Sequence, residues 1–245
     1  MRYIIGIDDT DNLDSRGTGH RARMMGLGLM KAGLGKLENI TRHQLFVSPL
    51  IPYTSHNSSA SLVVSDVNDP IELTDFCRVF LVQESAEGSD AGLCVAAYDQ
   101  VDKDLQEWGR KAKSIVLTMD EAISLAQKNN ICLEGLTGEK CGIIGSLAAV
   151  GLRKEGNDGR LLWMPNLRET KGIFKVSEVF ALLSPDAIID MEGKQVSAES
   201  KVELTDWSRP VMRGNKITLI LQPCNKDEEA DYTSAPKEFI KSISG

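Results

Sequence analysis

Long hydrophobic runs are missing from this chain of 245 residues. No stretch approaches the ~18 consecutive apolar residues that a membrane-crossing helix needs, so no membrane span is expected. The N-terminus also lacks a charged n-region followed by a long apolar h-region, so no secretory signal is expected. Cysteine is sparse and scattered. The five thiols, Cys77, Cys94, Cys132, Cys141 and Cys224, include no C-x-x-C pair, which argues against a zinc ribbon and a thioredoxin-like motif. Their odd number and the missing signal fit a reducing, cytoplasmic compartment. A basic excess is lacking as well: 28 Lys and Arg stand against 35 Asp and Glu, for a net charge of -7. Proteins that grip nucleic acid through its phosphates usually carry a basic face. The balance therefore favours a small-molecule partner over a nucleic acid. No internal repeat and no low-complexity linker occurs. What remains is an ordinary globular profile, 42% hydrophobic and 26% charged, long enough for one large or two small domains. The sequence does not give the oligomeric state.

The most informative stretch is the first. Tyr3 to Ile7 is an apolar run that reads as a short buried strand. It stops on Asp8, Asp9 and Asp11, with Asp14 close behind, and Gly17-Thr18-Gly19 then leads into a helical stretch from about His20. Carboxylates crowded at the end of a buried strand repel one another and lose hydration unless a cation sits among them. A hard divalent ion such as Mg²⁺, held by one or two carboxylates and by substrate phosphates, satisfies that need. A glycine turn at a helix N-terminus suits an anion. The alternative is an acidic loop that only caps the next helix. Arg16, His20 and Arg23 fall near one another beside this loop, placed either to contact nucleotide phosphates or to pair with Asp11 and Asp14.

Ala22, Met25, Leu29 and Ala32 form the apolar stripe of the first helix. Residues 43–48 read as a second strand and 60–64 as a third. Between them Tyr53, Thr54, His56 and Asn57 make a polar loop, either a solvated connection or a substrate lip. Asp69-Pro70 opens a helix over 70–84. A strand is expected over 93–97 and a helix over 102–113. Thr118 and Glu121 have capping-box spacing for a helix that ends near 129–130. A second glycine-rich stretch, Gly135 to Gly145, contains Gly138, Lys140 and Gly142 and opens into a helix of small residues. It has no Walker A spacing. Its backbone N–H groups either cradle a phosphate or simply allow tight packing on a sheet. Beyond 160, strands are expected over 161–163, 187–189 and 216–222, with helices over 175–183 and 235–243.

Three blocks taken together, Gly6-Ile7-Asp8-Asp9-Thr10-Asp11, Ile51-Pro52-Tyr53-Thr54 and Gly142 to Gly151, resemble the archaeal agmatinylcytidine synthetase family of isoleucine tRNA (TiaS). The similarity covers roughly 1–65 and 137–152. The resemblance implies an α+β fold: a mixed-sheet, kinase-like ATP-binding domain over residues 1–153 and a smaller ferredoxin-like α/β lobe over 154–245. It implies ATP and Mg²⁺ as cofactors. Asp8, Asp9 and Asp11 would hold the metal, and these three with His20 and Lys140 would serve catalysis. Thr10, Arg16, Gly17, Thr18, Gly19, Arg21, Gly138, Gly142 and Gly145 would contact the nucleotide, and Tyr53, Thr54, His56 and Asn57 the acceptor. The family's OB domain and zinc ribbon are not expected within these 245 residues. Its phosphate-accepting threonine is missing, and His20 falls near that place, either as a phosphoryl carrier or as a group that contacts a phosphate or orients an acid. The expectation is an ATP/Mg²⁺-dependent phosphotransferase or ligase-like enzyme acting on a small molecule. The alternatives are a tRNA-modifying enzyme that works with a separate RNA-binding partner, and a non-catalytic nucleotide or metabolite sensor.

Overall fold

The computed structural model describes residues 1–53, 56–225 and 227–244. The chain divides into two compact units, Met1–Glu155 and Gly156–Gly245. Both combine helices with sheet, an α+β fold. No helix among the described residues is long and apolar enough to cross a membrane.

The first unit runs β1 (Tyr3–Asp8), α1 (Thr18–Lys31), β2 (Lys36–Gln44), β3 (Ser58–Ser65), α2 (Pro70–Glu84), β4 (Gly92–Ala97), α3 (Lys103–Lys111), α4 (Met119–Lys128), β5 (Cys132–Gly135) and α5 (Ile143–Glu155). Its strands lie in the order β5-β4-β1-β3-β2, and every pair is antiparallel. β1 is central, which explains its apolar run: Tyr3, Ile4, Ile5 and Ile7 are all buried. Side chains alternate across the pleat. Gly6 faces α5, and a Cβ there would fall 2.0 Å from the Ser146 carbonyl oxygen, so only glycine lets this helix lie so close. The opposite face receives α1, whose Gly26 leaves room for Leu37 and Leu62. The helices start where the sequence signals them. Asp69 Oδ1 accepts from Ile71 N at 2.8 Å and from Glu72 N at 3.1 Å. Thr118 and Glu121 form the reciprocal capping box of α4.

The second strand differs from the expectation. It spans Lys36–Gln44 rather than 43–48. Its sequence reads as polar because Asn39, Thr41 and His43 face the interior. Long-range partners compensate for the burial of Asn39 and His43, whereas the Thr41 hydroxyl has no hydrogen-bond partner among the described residues. Arg153 Nε donates to Asn39 Oδ1 at 3.2 Å, and His43 Nε2 lies 2.8 Å from Ser61 Oγ.

The second unit contains β6 (Arg160–Trp163), β7 (Gly172–Lys175), α6 (Val176–Leu183), β8 (Ala187–Asp190), β9 (Lys201–Leu204), β10 (Val211–Arg213), β11 (Lys216–Pro223), β12 (Tyr232–Ser234) and α7 (Lys237–Ile243). Its strands run β6-β10-β11-β12-β9-β7, with β8 parallel on β11 and β12 parallel on β9, so its pairing is mixed. Leu161, Val176, Val179, Val202, Leu219 and Leu221 form the heart of its core.

Candidate active site

The site grows from the end of β1. Asp8 is the last strand residue, paired with Gly92 of β4. Asp9 then turns the chain with φ 49°, the left-handed region that non-glycine residues seldom enter. The turn keeps both carboxylates in one cleft instead of sending them to opposite faces. Asp8 packs on the first turn of α5, where a Cβ on Gly145 would fall 1.8 Å from Asp8 Oδ2. A Cβ on Gly142 would likewise meet the Asp8 and Asp90 carbonyl oxygens. The glycines near 140 therefore let the acidic turn and the helix start touch.

Two cavities share this turn. The larger, of about 280 Å³, is mostly apolar and is lined by Leu45, Leu50, Ile51, Pro52, Ala112, Ile115, Val116, Leu117, Ile144 and Gly145 among others. Its volume is at the lower end of cavities that take small ligands. The smaller, of about 40 Å³, is polar and is lined by Asp8, Asp9, Asp11, Thr18, Pro52, Tyr53, His56, Asn57 and Ser58. Asp8, Asp9, Pro52 and Asn57 line both.

Electrostatics single out the two adjacent carboxylates. Burial, followed by the charge of Asp9, pushes the Asp8 pKa from 3.8 up to about 8. Burial, followed by the charges of Asp90 and Asp11, pushes Asp9 to about 6. A bound cation would reverse both penalties. Asp11 is used differently. Its Oδ1 accepts from Thr18 N at 3.0 Å and from Thr18 Oγ1 at 2.7 Å, capping α1 in place of the side chain that Gly17 lacks. Among the described residues no three His, Cys, Asp or Glu side chains are grouped to hold a metal. The expected set of three carboxylates is thus not preassembled. Asp8 and Asp9, two hard oxygen donors, still fit a Mg²⁺ ion that takes its other ligands from phosphate and water.

The other expected residues separate clearly. Thr10 is fully buried, with its Oγ1 3.2 Å from Thr18 Oγ1, and it braces the turn without lining a cavity. Thr18, Tyr53, His56, Asn57, Gly142 and Gly145 line one or both cavities. Asn57 also ties the loop down, since its Nδ2 donates to the Phe46 carbonyl at 2.7 Å. Thr54 lies outside the described residues. Arg16, Gly17, Gly19, His20, Arg21, Gly138 and Lys140 line neither cavity. Lys140 is exposed with φ 71°, and its Cβ occupies the space that Gly135 leaves open. Gly138 accommodates Asp90, whose carboxylate accepts from the Glu139 amide. The sequence reading missed Asp90, and it missed Arg42, whose Nε donates to Ser58 Oγ at 3.0 Å and which lies within electrostatic reach of Asp11. It also missed the 112–119 wall of the larger cavity, held in place where Phe46 N donates to the Ala112 carbonyl at 2.9 Å.

No protein-family model matches the sequence. An uncharacterized protein of Methanocaldococcus jannaschii is 34% identical over 156 residues, which cover 62% of this chain and 50% of that one. Three solved structures show the same relation. A tRNA fluorescent labeling enzyme is 30% identical with a TM-score of 0.54, over 62% of this chain and 36% of its own. Apo TiaS, an agmatidine synthetase of isoleucine tRNA, is 29% identical with a TM-score of 0.53, over 62% and 35%. The complex of TiaS with its isoleucine tRNA and ATP is 29% identical with a TM-score of 0.54, over 62% and 36%. The resemblance read from the sequence is borne out, and this chain spans half the length of the curated relative and about a third of the TiaS chains. The matches correct one expectation: the similar structures are of an enzyme solved with tRNA, against the small-molecule acceptor and the disfavoured nucleic acid. Net charge misled because it averages over the chain and is silent on where the charges lie.

Proposed function

We propose that this chain is an ATP-using enzyme of tRNA modification, of the ligase type, with its nucleotide site at the Asp8–Asp9 turn. The observation that carries the reading is the juxtaposition of two half-buried, mutually repelling carboxylates with a glycine-rich helix start and an apolar cavity, in a chain similar to TiaS solved with tRNA and ATP. Asp8 and Asp9 would hold Mg²⁺, which would neutralise phosphate charge during transfer. The apolar walls, Leu45, Ile51, Val116 and Ile144, would exclude water and receive a flat base. Thr18 and Asn57 would fix polar groups in the smaller cavity, and Tyr53 and His56 would form its rim toward the acceptor. Positioning and charge compensation carry most of such a reaction. The test incubates the chain with ATP, Mg²⁺, an amine donor and unmodified tRNA transcripts, then measures ATP consumption and analyses the nucleosides by mass spectrometry. ATP consumption that depends on tRNA supports the reading; consumption indifferent to tRNA, or none, rejects it.

A further inference from the structure

The charge of the chain is unevenly spread. From Arg16 to Lys31 there are four Lys and Arg residues and His20, and no Asp or Glu, although the net charge is -7. Among the described residues α1 is the helix without a single acid. Its cations crowd the N-terminal half, where the positive end of the helix dipole already lies and where they are least welcome. Arg16 is exposed, and neither Arg16 nor Arg21 forms an ion pair with a described residue. The Arg21 Nε is buried and has no hydrogen-bond partner.

His20 sits in this positive field. Burial first, then Arg16, Arg23 and Arg21, lower its pKa. Arg23 Nη2 lies 3.4 Å from His20 Nδ1. A guanidinium only donates, so Nδ1 accepts and the neutral ring carries its proton on Nε2. His20 therefore presents an N–H donor, which suits a phosphate oxygen. A phosphoryl-accepting Nε2 would need a free lone pair instead. Two residues before His20, Thr18 lines the small cavity that Asp8, Asp9 and Asp11 share. Across that cavity Tyr53 is 42% exposed, an aromatic face at the rim on which an unpaired base can stack.

We propose that Arg16, His20, Arg21 and Arg23 grip the sugar–phosphate backbone of an RNA strand and present it to the carboxylate-lined cavity. The proposal rests on the tRNA reading and names the surface by which this acidic chain takes RNA. The test titrates a labelled, unmodified tRNA transcript with the full chain at several salt concentrations. It compares the natural sequence with the Arg16→Gln/Arg23→Gln and Arg16→Lys/Arg23→Lys variants, and calorimetry with Mg²⁺–ATP runs in parallel. The glutamine pair is expected to bind tRNA about tenfold or more weakly at low salt, with a log K against log salt slope shallower by about 2, one for each lost phosphate contact. The lysine pair keeps the slope, and all three proteins bind ATP alike. If the glutamine pair retains affinity and slope, the RNA lies elsewhere, and the surface is overturned while the tRNA reading stands. If it loses ATP binding in step with tRNA, the arginines serve the nucleotide and the proposal is overturned. If the natural chain binds no tRNA at any salt, the tRNA reading falls and takes this surface with it.

Discussion

Replacing Asp8 by asparagine tests the electrostatics of the site without any ligand. Burial and the neighbouring Asp9 charge raise the Asp8 pKa from 3.8 to about 8. Between those values the folded chain holds a proton that the unfolded chain releases, so stability falls as pH rises through the window. At pH 7 about three of the four units have been crossed, on the order of 4 kcal/mol at 1.36 kcal/mol per unit. That corresponds to roughly 8–16 °C in the unfolding midpoint for a chain of this size. The asparagine side chain has no such proton and no charge to desolvate. The assay is thermal unfolding in EDTA from about pH 4.5 to pH 8, with each variant compared with the natural chain so that other titrations cancel. The two curves should converge near pH 4.5 and separate steadily toward pH 8, where Asp8→Asn is the more stable. Adding Mg²⁺–ATP at pH 8 should raise the midpoint of the natural chain and leave that of the variant nearly unmoved. Parallel curves, with no pH-dependent gap, would refute the claim that Asp8 is held at a cost in the absence of a cation.

Three further outcomes follow from the packing. Gly145→Ala places a Cβ within 1.8 Å of Asp8 Oδ2, and the resulting strain of about 1–3 kcal/mol should appear in urea unfolding together with lost ATP binding in calorimetry. Asp90→Ala removes the carboxylate that accepts from the Glu139 amide, so amide exchange across 137–142 should accelerate and ATP affinity fall several-fold. Asp69→Ala removes the cap of α2 far from these residues, costing ~1 kcal/mol in urea unfolding with ATP affinity unchanged.

Local signals carry the readable part of the sequence. The apolar run ending at Asp8, the Asp69-Pro70 start of α2 and the Thr118–Glu121 box each act within a few residues, and the structure realises each of them. β2 lies elsewhere than expected because Asn39 and His43 look solvated until Arg153 and Ser61 arrive from distant parts of the chain. β5 has no signal of its own, since four half-buried residues gain their order only by pairing with β4. The site follows the same division. The acidic turn and the glycine segment can be named separately, whereas the Gly145–Asp8 contact is tertiary. Asp90 and the 112–119 wall reach the cleft through sheet register and loop docking, which no motif spacing encodes.

Isothermal titration of ATP into the chain, with Mg²⁺ and again with EDTA, tests the central claim most directly when run beside Asp8→Asn and Asp9→Asn. Saturable binding that requires Mg²⁺ and is lost in both variants is the predicted result. ATP binding of equal strength in EDTA, or in either variant, would contradict a site built on these two carboxylates.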